Sequence, residues 1–282
     1  MHGASSLAAE FNPMSDVVRL EYRNVTMRFM DGTGKSLTAV QQVSFSVRDG
    51  EVVSLIGPSG CGKSTLLNIG SGLYAPSEGE AFVDGERVEG PNAHVAFMLQ
   101  KDLLLPWRTI AENVQFGVEI QGLPLPERQR RAKALLDNLN LGEFSNHYPH
   151  QLSGGMRQRV ALARTLAVDP TVLLLDEPFS AVDAQTRIVL QRELAQTLKR
   201  AGKTALLITH DLLEAVTLSD RVLVMSRRPG RIIDEITIEL PQRDDPIARR
   251  QDPRVNQYVA RLMDRLDIGH VPPEPQAAGA PA

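Results

Sequence analysis

A glycine-rich run at residues 57–64, GPSGCGKS, has the residue types and spacing of a phosphate-binding loop. A strand-like apolar run precedes it and a helix-compatible run follows, so bare N–H groups and the positive end of a helix dipole can face an anion. Lys63 is predicted to reach the β- and γ-phosphates of a nucleotide, and the Ser64 hydroxyl to take a Mg²⁺ position. The predicted nucleotide contacts are Gly57, Pro58, Ser59, Gly60, Cys61, Gly62, Lys63, Ser64 and Thr65.

Cys61, inside this loop, is the single cysteine of the chain. One interpretation is a small side chain that fits the loop. The other is a redox role, because a helix N-terminus lowers the pKa of a thiol. In both cases bound nucleotide is predicted to cover the thiol. A single cysteine rules out an internal disulfide and fits a reducing cytosol.

Two adjacent carboxylates, Asp176 and Glu177, follow the apolar run at 171–175. A strand that ends in acids is typical of a ligand site, because α/β sheets bind ligands at strand tips. Neighbouring strand residues point to opposite sides, so the two acids are predicted to have different tasks. Asp176 is suited to hold Mg²⁺, and Glu177 to polarise an attacking water.

Residues 152–158 read LSGGMRQ and open a helical stretch. Ser153, Gly154 and Gly155 leave bare N–H groups at the start of that helix, which predicts a second anion site. This run resembles the signature of the ABC ATPases, and residues 20–240 resemble one nucleotide-binding domain of that family. The resemblance implies that these three residues contact the γ-phosphate of ATP held by the loop of an opposite subunit.

Further positions match the same family in order. The resemblance implies that Gln100 approaches the metal and contacts a membrane partner, and that His210 donates to the γ-phosphate. Asp183 closes the run SAVD, which resembles the family's D-loop with Val182 in place of the usual leucine, and is assigned to the nucleotide site. The implied catalytic residues are Glu177, His210 and Gln100, and the implied metal ligands are Ser64, Gln100 and Asp176.

Two aromatic residues are candidates for stacking on adenine. Phe29 resembles the aromatic residue that does so in this family, and Tyr22 is its rival. Stacking alone does not read base identity, so a modest purine preference is expected.

Two runs resemble a narrower group, the importers for nitrate, sulfonates and taurine: LLLPW at 103–107 and RRPGR at 227–231. Trp107 is the only tryptophan of the chain. One interpretation is an apolar patch that receives a short helix of a membrane subunit. The alternative is a tryptophan packed within the helical region.

The elements that must position these residues follow from apolar periodicity. Half-buried strands are predicted within 17–47, a hairpin at Asp84-Gly85, helices from about 102 to 165 (notably 127–141), and buried strands at 171–175, 204–209 and 221–225. This strand–helix alternation around a helical insertion predicts an α/β fold with a mainly parallel core sheet. The resemblance implies the ABC ATPase domain, with an antiparallel β subdomain and a helical subdomain.

The predicted organisation has four parts: a flexible leader at 1–16, an ABC ATPase domain at 17–240, a C-terminal helical extension at 241–270 and a disordered tail at 271–282. Asp252-Pro253 is a good helix start, and apolar residues follow at helical spacing. This helix is interpreted as packed on the body; a regulatory or dimerising role is the alternative.

Bulk properties exclude some classes of function. A net charge of -3 argues against nucleic-acid binding, which usually needs a basic face. No apolar run approaches the roughly 18 residues of a membrane span. The residues before Pro13 lack the pattern of a secretory signal. We predict a peripheral protein at the cytoplasmic face of the cell (inner) membrane.

The resulting hypothesis is an ATP-hydrolysing motor subunit of an importer for a small solute, with ATP and Mg²⁺ as cofactors. The implied partners are a second nucleotide-binding subunit, forming a homodimer, two membrane permease subunits, and a periplasmic or extracellular solute-binding protein reached through the permease. The alternative is a soluble ABC ATPase with a scaffold role. Three other classes of ATP-binding protein fit the sequence less well. A chromosome or repair ATPase would need a long run of heptad repeats between Lys63 and Asp176. A translation factor would carry two cassettes, and a small-molecule kinase would have no use for residues 153–155.

Overall fold

The computed structural model describes residues 16–30, 32, 34–180 and 182–268. Within these residues the strands are β1 Val18–Met30, β2 Ser36–Arg48, β3 Val52–Ile56, β4 Glu78–Val83, β5 Glu86–Arg87, β6 Val95–Met98, β7 Val172–Asp176, β8 Thr204–Ile208, β9 Arg221–Met225 and β10 Ile232–Thr237. The α-helices are α1 Lys63–Gly70, α2 Ile110–Ile120, α3 Leu125–Asn138, α4 Gly154–Ala167, α5 Ala184–Arg200, α6 Leu212–Leu218, α7 Pro246–Arg250 and α8 Arg254–Arg265. The predicted leader (apart from Asp16) and the predicted tail lie outside the described residues.

Six of the described strands form the central sheet, in the order β10-β9-β3-β8-β7-β6. Neighbouring strands within this sheet run parallel, except that β10 pairs antiparallel with β9 at one edge. Strands β3, β7, β8 and β9 are buried along their whole length, as expected for apolar strands covered on both faces. The predicted mainly parallel core sheet is confirmed.

A second sheet, ordered β2-β1-β4-β5 among the described strands, is antiparallel throughout. The predicted hairpin joins β4 to β5: Asp84 and Gly85 have φ of 51° and 79°, the left-handed values that a tight two-residue turn requires. Leu20, Val43 and Val83 turn inward from this sheet into a core shared with β3 and α1. The predicted antiparallel β subdomain is present.

Helices α2, α3 and α4 share a core that includes Ile110, Leu136 and Val160. Thr109 and Glu112 form a reciprocal capping box at the start of α2. The helix expected at 127–141 runs instead over Leu125–Asn138. It begins earlier because Pro124 suits a helix start, and it ends earlier because Asn140 adopts a left-handed φ of 55°.

The C-terminal helices cover α6 and the edge of the central sheet. Val255 and Leu262 of α8 are buried against α6, β9 and β10. The buried Arg249 guanidinium donates to four carbonyls, those of Thr217, Ser219, Leu240 and Pro241. The helix predicted after Asp252-Pro253 is thus packed on the body, as interpreted. Among the described residues, no helix is both long and apolar enough to cross a membrane.

Candidate active site

The loop at residues 57–64 joins β3 to α1, as the sequence predicts. Gly60 and Gly62 adopt φ of 73° and 106°, which residues with a Cβ rarely reach. A Cβ at Gly62 would lie 2.4 Å from Val40 Cγ1, so this glycine also allows close contact with β2. Gly62 occupies the N-cap position of α1 and has no side chain, which leaves the first N–H groups of the helix for a ligand.

Lys63 is held within the loop that precedes it. Its Nζ donates to the carbonyls of Gly57 at 2.8 Å and Pro58 at 3.1 Å. The side chain is therefore folded over the loop, where its charge faces the cleft described below. This position suits an ammonium that neutralises phosphate oxygens.

The Cys61 thiol points away from the cleft, into the core between β2, β9 and α1. It is 1% exposed, and burial raises the pKa of this thiol despite the neighbouring Lys63 ammonium. Protein atoms already bury the Cys61 thiol, so the prediction that bound nucleotide is what covers it is wrong. The interpretation of a small side chain that fits the loop agrees with this burial, and a reactive redox thiol does not.

The side chains of Asp176 and Glu177 diverge, but the cause is the turn at Glu177 and not alternation along the strand, because β7 ends at Asp176. Asp176, the last residue of β7, is buried, and burial raises the pKa of its carboxyl while a hydrogen bond from the Ser64 hydroxyl opposes the shift. Glu177 leaves the strand with a left-handed φ of 47°, and its N–H donates to Ile208 O at 3.0 Å. This turn aims the Glu177 carboxylate into the open cleft.

Glu177 lies at the centre of a polar cluster. Its Oε2 accepts a hydrogen bond from Gln100 Nε2 at 3.1 Å and lies 3.3 Å from His210 Nδ1. Gln100 follows β6, and His210 follows β8, so adjacent parallel strands deliver all three residues to one edge of the sheet. The structure therefore brings the three predicted catalytic residues together.

One cleft of about 590 Å³ joins this cluster to the phosphate-binding loop. That volume falls in the range of small-molecule sites. Its lining residues are Phe29, Leu37, Ala39, Gly57, Ser59, Gly60, Gly62, Lys63, Ser64, Thr65, Gln100, Glu177, Ile208, His210 and Arg228. Ser64, Gln100 and Asp176 offer hydroxyl, amide and carboxylate oxygens, which are the donors that Mg²⁺ prefers, so these residues fit the metal.

The structure separates the two aromatic candidates. Phe29 lines the cleft and makes an edge-to-face contact with Tyr74, with ring centroids 5.9 Å apart. Tyr22 is 1% exposed, stacks on Phe45 and donates its hydroxyl to Leu66 O at 2.8 Å. Tyr22 is a core residue, and its candidacy for adenine stacking was wrong.

Four further predicted contacts lie apart from the cleft within a single chain. Ser153 caps α4, its hydroxyl accepting from Met156 N–H, and a Cβ at Gly155 would lie 2.6 Å from Thr186 Cγ2. Asp183 caps α5, and hydrogen bonds from the first N–H groups of that helix, chiefly that of Thr186, lower the pKa of its carboxyl. Ser153, Gly154, Gly155 and Asp183 are not among the residues described as lining the cleft.

Sequence reasoning missed several residues of the site. Leu37 and Ala39 of β2 and Ile208 of β8 reach the cleft through packing that no motif announces. Arg228 belongs to the run at 227–231, and it lines the cleft beside the phosphate-binding loop. That run was the one feature of the sequence that could have pointed to Arg228.

Trp107 is 71% exposed, and Leu103 is also exposed. The alternative in which Trp107 packs within the helical region is therefore wrong. The backbone around both residues is nevertheless fixed: Arg164 donates to the carbonyls of Asp102 and Leu103, and the Asn113 amide brackets Leu105.

A buried polar chain supports the segment that carries His210. The Glu214 carboxylate is 3% exposed and accepts from Gln191 Nε2 at 2.9 Å and from the Thr209 hydroxyl. Gln191 Oε1 in turn accepts from Arg250 of α7 at 2.7 Å. Burial raises the pKa of Glu214 to about 7, with Asp211 adding to the shift and Arg187 opposing it.

Comparisons with known proteins agree with this geometry. Residues 40–180 match a family model described as ABC transporter. An uncharacterised ABC transporter ATP-binding protein of Methanocaldococcus jannaschii is 46% identical over 228 residues, covering 81% of this chain and 85% of its own. The chain therefore belongs to the ABC transporter family of ATP-binding proteins, and it is an ATP hydrolase of the ABC type.

Other relatives narrow the comparison. The taurine import ATP-binding protein TauB of Jannaschia sp. is 45% identical over 248 residues, covering 88% of this chain and 92% of its own, and that of Yersinia pestis is 43% identical over 247, covering 86% and 95%. Among solved structures, the dimeric ATP-binding cassette MJ0796 bound to ADP and Pi has a TM-score of 0.71 at 32% identity, covering 78% of this chain and 99% of its own. The predicted ABC ATPase fold is confirmed.

Glu214 generates a prediction about pH. Its native pKa lies above the ordinary 4.5, so between pH 4.5 and about 7 the native state holds more protons than the unfolded state. The free energy of unfolding therefore falls as pH rises through this window, by about 3 kcal/mol in total. Glu214→Gln mimics the protonated acid, so its stability relative to wild type should rise by about 2 kcal/mol between roughly pH 5 and roughly pH 8. Urea unfolding at both pH values measures this.

The control for this prediction is Glu239→Gln, which makes the same charge change on an exposed side chain. It should shift the free energy of unfolding by only a few tenths of a kcal/mol at either pH. An equal response of both variants to pH would show that burial of Glu214 does not set the effect.

Proposed function

We propose that this chain is the motor subunit of an importer for a small solute of the taurine, sulfonate or nitrate class, working with separate membrane subunits. The observation that carries the proposal is the cluster of Gln100, Glu177 and His210 beside Lys63 in one cleft. The importer assignment is supported by relatives at 43–46% identity, several of them named as taurine import proteins.

The residues of the cleft divide the work of ATP hydrolysis in this proposal. Lys63 and the N–H groups of the loop hold the phosphates, and Phe29 stacks on adenine. Glu177 orients and polarises the attacking water, Gln100 fixes the Glu177 carboxylate, and His210 donates to the γ-phosphate. Bound Mg²⁺, held by Ser64, Asp176 and Gln100, would neutralise phosphate charge.

The site needs a second copy of the chain in this proposal. Ser153, Gly154 and Gly155 present the start of α4 away from the cleft of their own chain. Supplied by an opposite subunit, that helix start and Asp183 would close the cleft over the γ-phosphate, so ATP would hold two subunits together. The similar cassette MJ0796 is described as a dimer, which supports the arrangement.

This arrangement gives a testable prediction for Glu177→Gln. The change keeps size and hydrogen bonding but removes charge and basicity, so ATP turnover should fall about 10²–10⁴-fold. Nucleotide binding should survive, because the loop and the proposed metal ligands are intact. With hydrolysis blocked, the variant should run as a dimer in gel filtration with Mg-ATP and as a monomer without it.

The matched control adds Ser153→Arg to Glu177→Gln. A long charged side chain at the start of α4 blocks the opposing surface and leaves the cleft of the same chain untouched. The double variant should bind ATP and stay monomeric. A dimer that persists in the double variant would remove residues 153–155 from the interface, and normal turnover in Glu177→Gln would remove that residue from the mechanism.

The membrane partners are proposed to bind at Leu103 and Trp107. These exposed apolar residues follow Gln100 by only a few positions, so a partner bound there touches the segment that reaches Glu177. Two permease subunits, reached from outside by a solute-binding protein, complete the proposed assembly. The chain would then lie peripherally on the cytoplasmic face of the membrane.

Trp107→Ala tests this surface, with Ile120→Ala as its control. Ile120 is 73% exposed at the end of α2, the helix that follows the turn carrying Trp107, so both changes remove an exposed apolar side chain from the same region of the chain. The tagged chain is expressed in its native organism and purified from detergent-solubilised membranes. Co-purifying proteins with several membrane spans, here called membrane companions, are identified by mass spectrometry. Wild type and Ile120→Ala should retain such a companion, and Trp107→Ala should lose most of it while keeping basal ATPase activity.

Two results would contradict the proposal. Loss of basal ATPase activity in Trp107→Ala with an unchanged companion would place Trp107 in the support of the catalytic site. The absence of any membrane companion from wild type would favour the alternative of a soluble ABC ATPase with a scaffold role.

A further inference from the structure

The segment at 226–231, which connects β9 to β10, lies against the phosphate-binding loop. Arg228 donates from both Nε, at 3.0 Å, and Nη2, at 2.8 Å, to the same acceptor, the carbonyl oxygen of Gly60. Hydrogen bonds from an ionised donor are stronger than neutral ones. Gly60 adopts a left-handed φ of 73° and has no side chain that could restrict the backbone at this point.

The peptide group that follows Gly60 is held at both ends. Its carbonyl accepts from Arg228, and its N–H, which belongs to Cys61, donates to Pro58 O at 3.3 Å. A peptide group is planar, so fixing its oxygen and its nitrogen fixes its orientation. The Arg228 guanidinium thus locks the turn from Pro58 to Cys61, which leads directly into Gly62 and Lys63.

The rest of the segment anchors Arg228 to β2. Gly230 N–H donates to Ala39 O, and Gly230 O accepts from Gln41 N–H, both at 2.9 Å. A Cβ at Gly230 would lie 2.0 Å from the carbonyl oxygen of Cys61, so the backbone of the segment touches the backbone of the loop. The base from which Arg228 reaches Gly60 is therefore itself fixed.

We propose that Arg228 is a positioning residue for nucleotide binding, which acts by holding the Gly60 carbonyl so that the phosphate-binding loop keeps its shape. Both of the hydrogen bonds that the described residues offer Arg228 end on Gly60, and this is why the assigned role is support of the loop. The effect falls on affinity for the nucleotide, because the hydrogen bonds of the Arg228 side chain in the described structure go to Gly60 and not to Glu177 or His210.

The test compares three substitutions in the purified, isolated chain: Arg228→Met, Arg228→Gln and Arg228→Lys. Methionine keeps much of the length and removes every donor. Glutamine carries no charge, but its Nε2 stands the same number of bonds from the backbone as arginine Nε, which lies 3.0 Å from Gly60 O. Lysine keeps the charge and loses the planar fork. The control is Arg227→Met, which removes the same charge from an exposed neighbour in the same segment.

We expect Arg228→Met to raise the Kd for Mg-ADP, measured by calorimetry, about tenfold, because a charge-assisted hydrogen bond is lost. The kcat at saturating ATP should change by less than about twofold. Arg228→Gln should recover part of the affinity. In the nucleotide-free chain, hydrogen exchange at residues 59–61 should be faster in Arg228→Met than in wild type. The control variant Arg227→Met should bind like wild type.

Three results would overturn the proposal. The first is an unchanged Kd in Arg228→Met. The second is full recovery by Arg228→Lys with none by Arg228→Gln, which would mean a direct charge contact with phosphate. The third is unchanged hydrogen exchange in the loop. Because binding is measured on the isolated chain, the result does not depend on whether the chain serves an importer.

Discussion

The backbone conformation of residues 57–64 is the constraint on which the rest of the structure depends. A loop can aim several N–H groups at one anion only if it is held in place, since an unsupported glycine-rich chain has too many conformations to keep one. Both sheets supply that support. Val40 of the antiparallel sheet packs on Gly62, and Met225 of the parallel sheet packs on Gly57, each at a distance that leaves no room for a Cβ. The antiparallel sheet is thus a wall of the phosphate site as well as a carrier of Phe29.

The acidic part of the cleft depends on a change of chain direction at the end of β7. Asp176 is still in the strand and is buried behind Ser64, whereas Glu177 adopts a left-handed φ and turns its carboxylate to the open side. Two adjacent acids therefore meet different surroundings, one dry and hydrogen-bonded to a hydroxyl, the other accessible to water. Gln100 and His210 converge on Glu177 because β6, β7 and β8 are neighbours in the parallel sheet.

How much of this could be read from the sequence depended on whether a residue acts through its type or through its packing. Lys63 was predictable from the glycine-rich loop and Glu177 from its place after an apolar run, whereas His210 was found through its match to the family. Tyr22 was a poor candidate for adenine because its place in the core is decided by Phe45 and Leu66, which are remote in sequence. The inward turn of the Cys61 thiol and the reach of Arg228 to Gly60 likewise depend on contacts between distant segments, which no local pattern encodes.

The contacts of α4 connect the predicted dimer surface to the predicted membrane surface. Ser153 caps this helix, and from its body Arg157 pairs with Asp102 at 2.9 Å while Arg164 holds the carbonyls of Asp102 and Leu103. The clamped residues follow Gln100, which contacts Glu177, and precede the exposed Trp107. A displacement of α4 must therefore move the segment between Gln100 and Trp107 with it, because three charge-assisted hydrogen bonds tie the two together. Under the proposed function, ATP bound to the opposite subunit would contact the start of α4. A resulting displacement of α4 would shift the surface at Leu103 and Trp107 that is proposed to bind the membrane subunits.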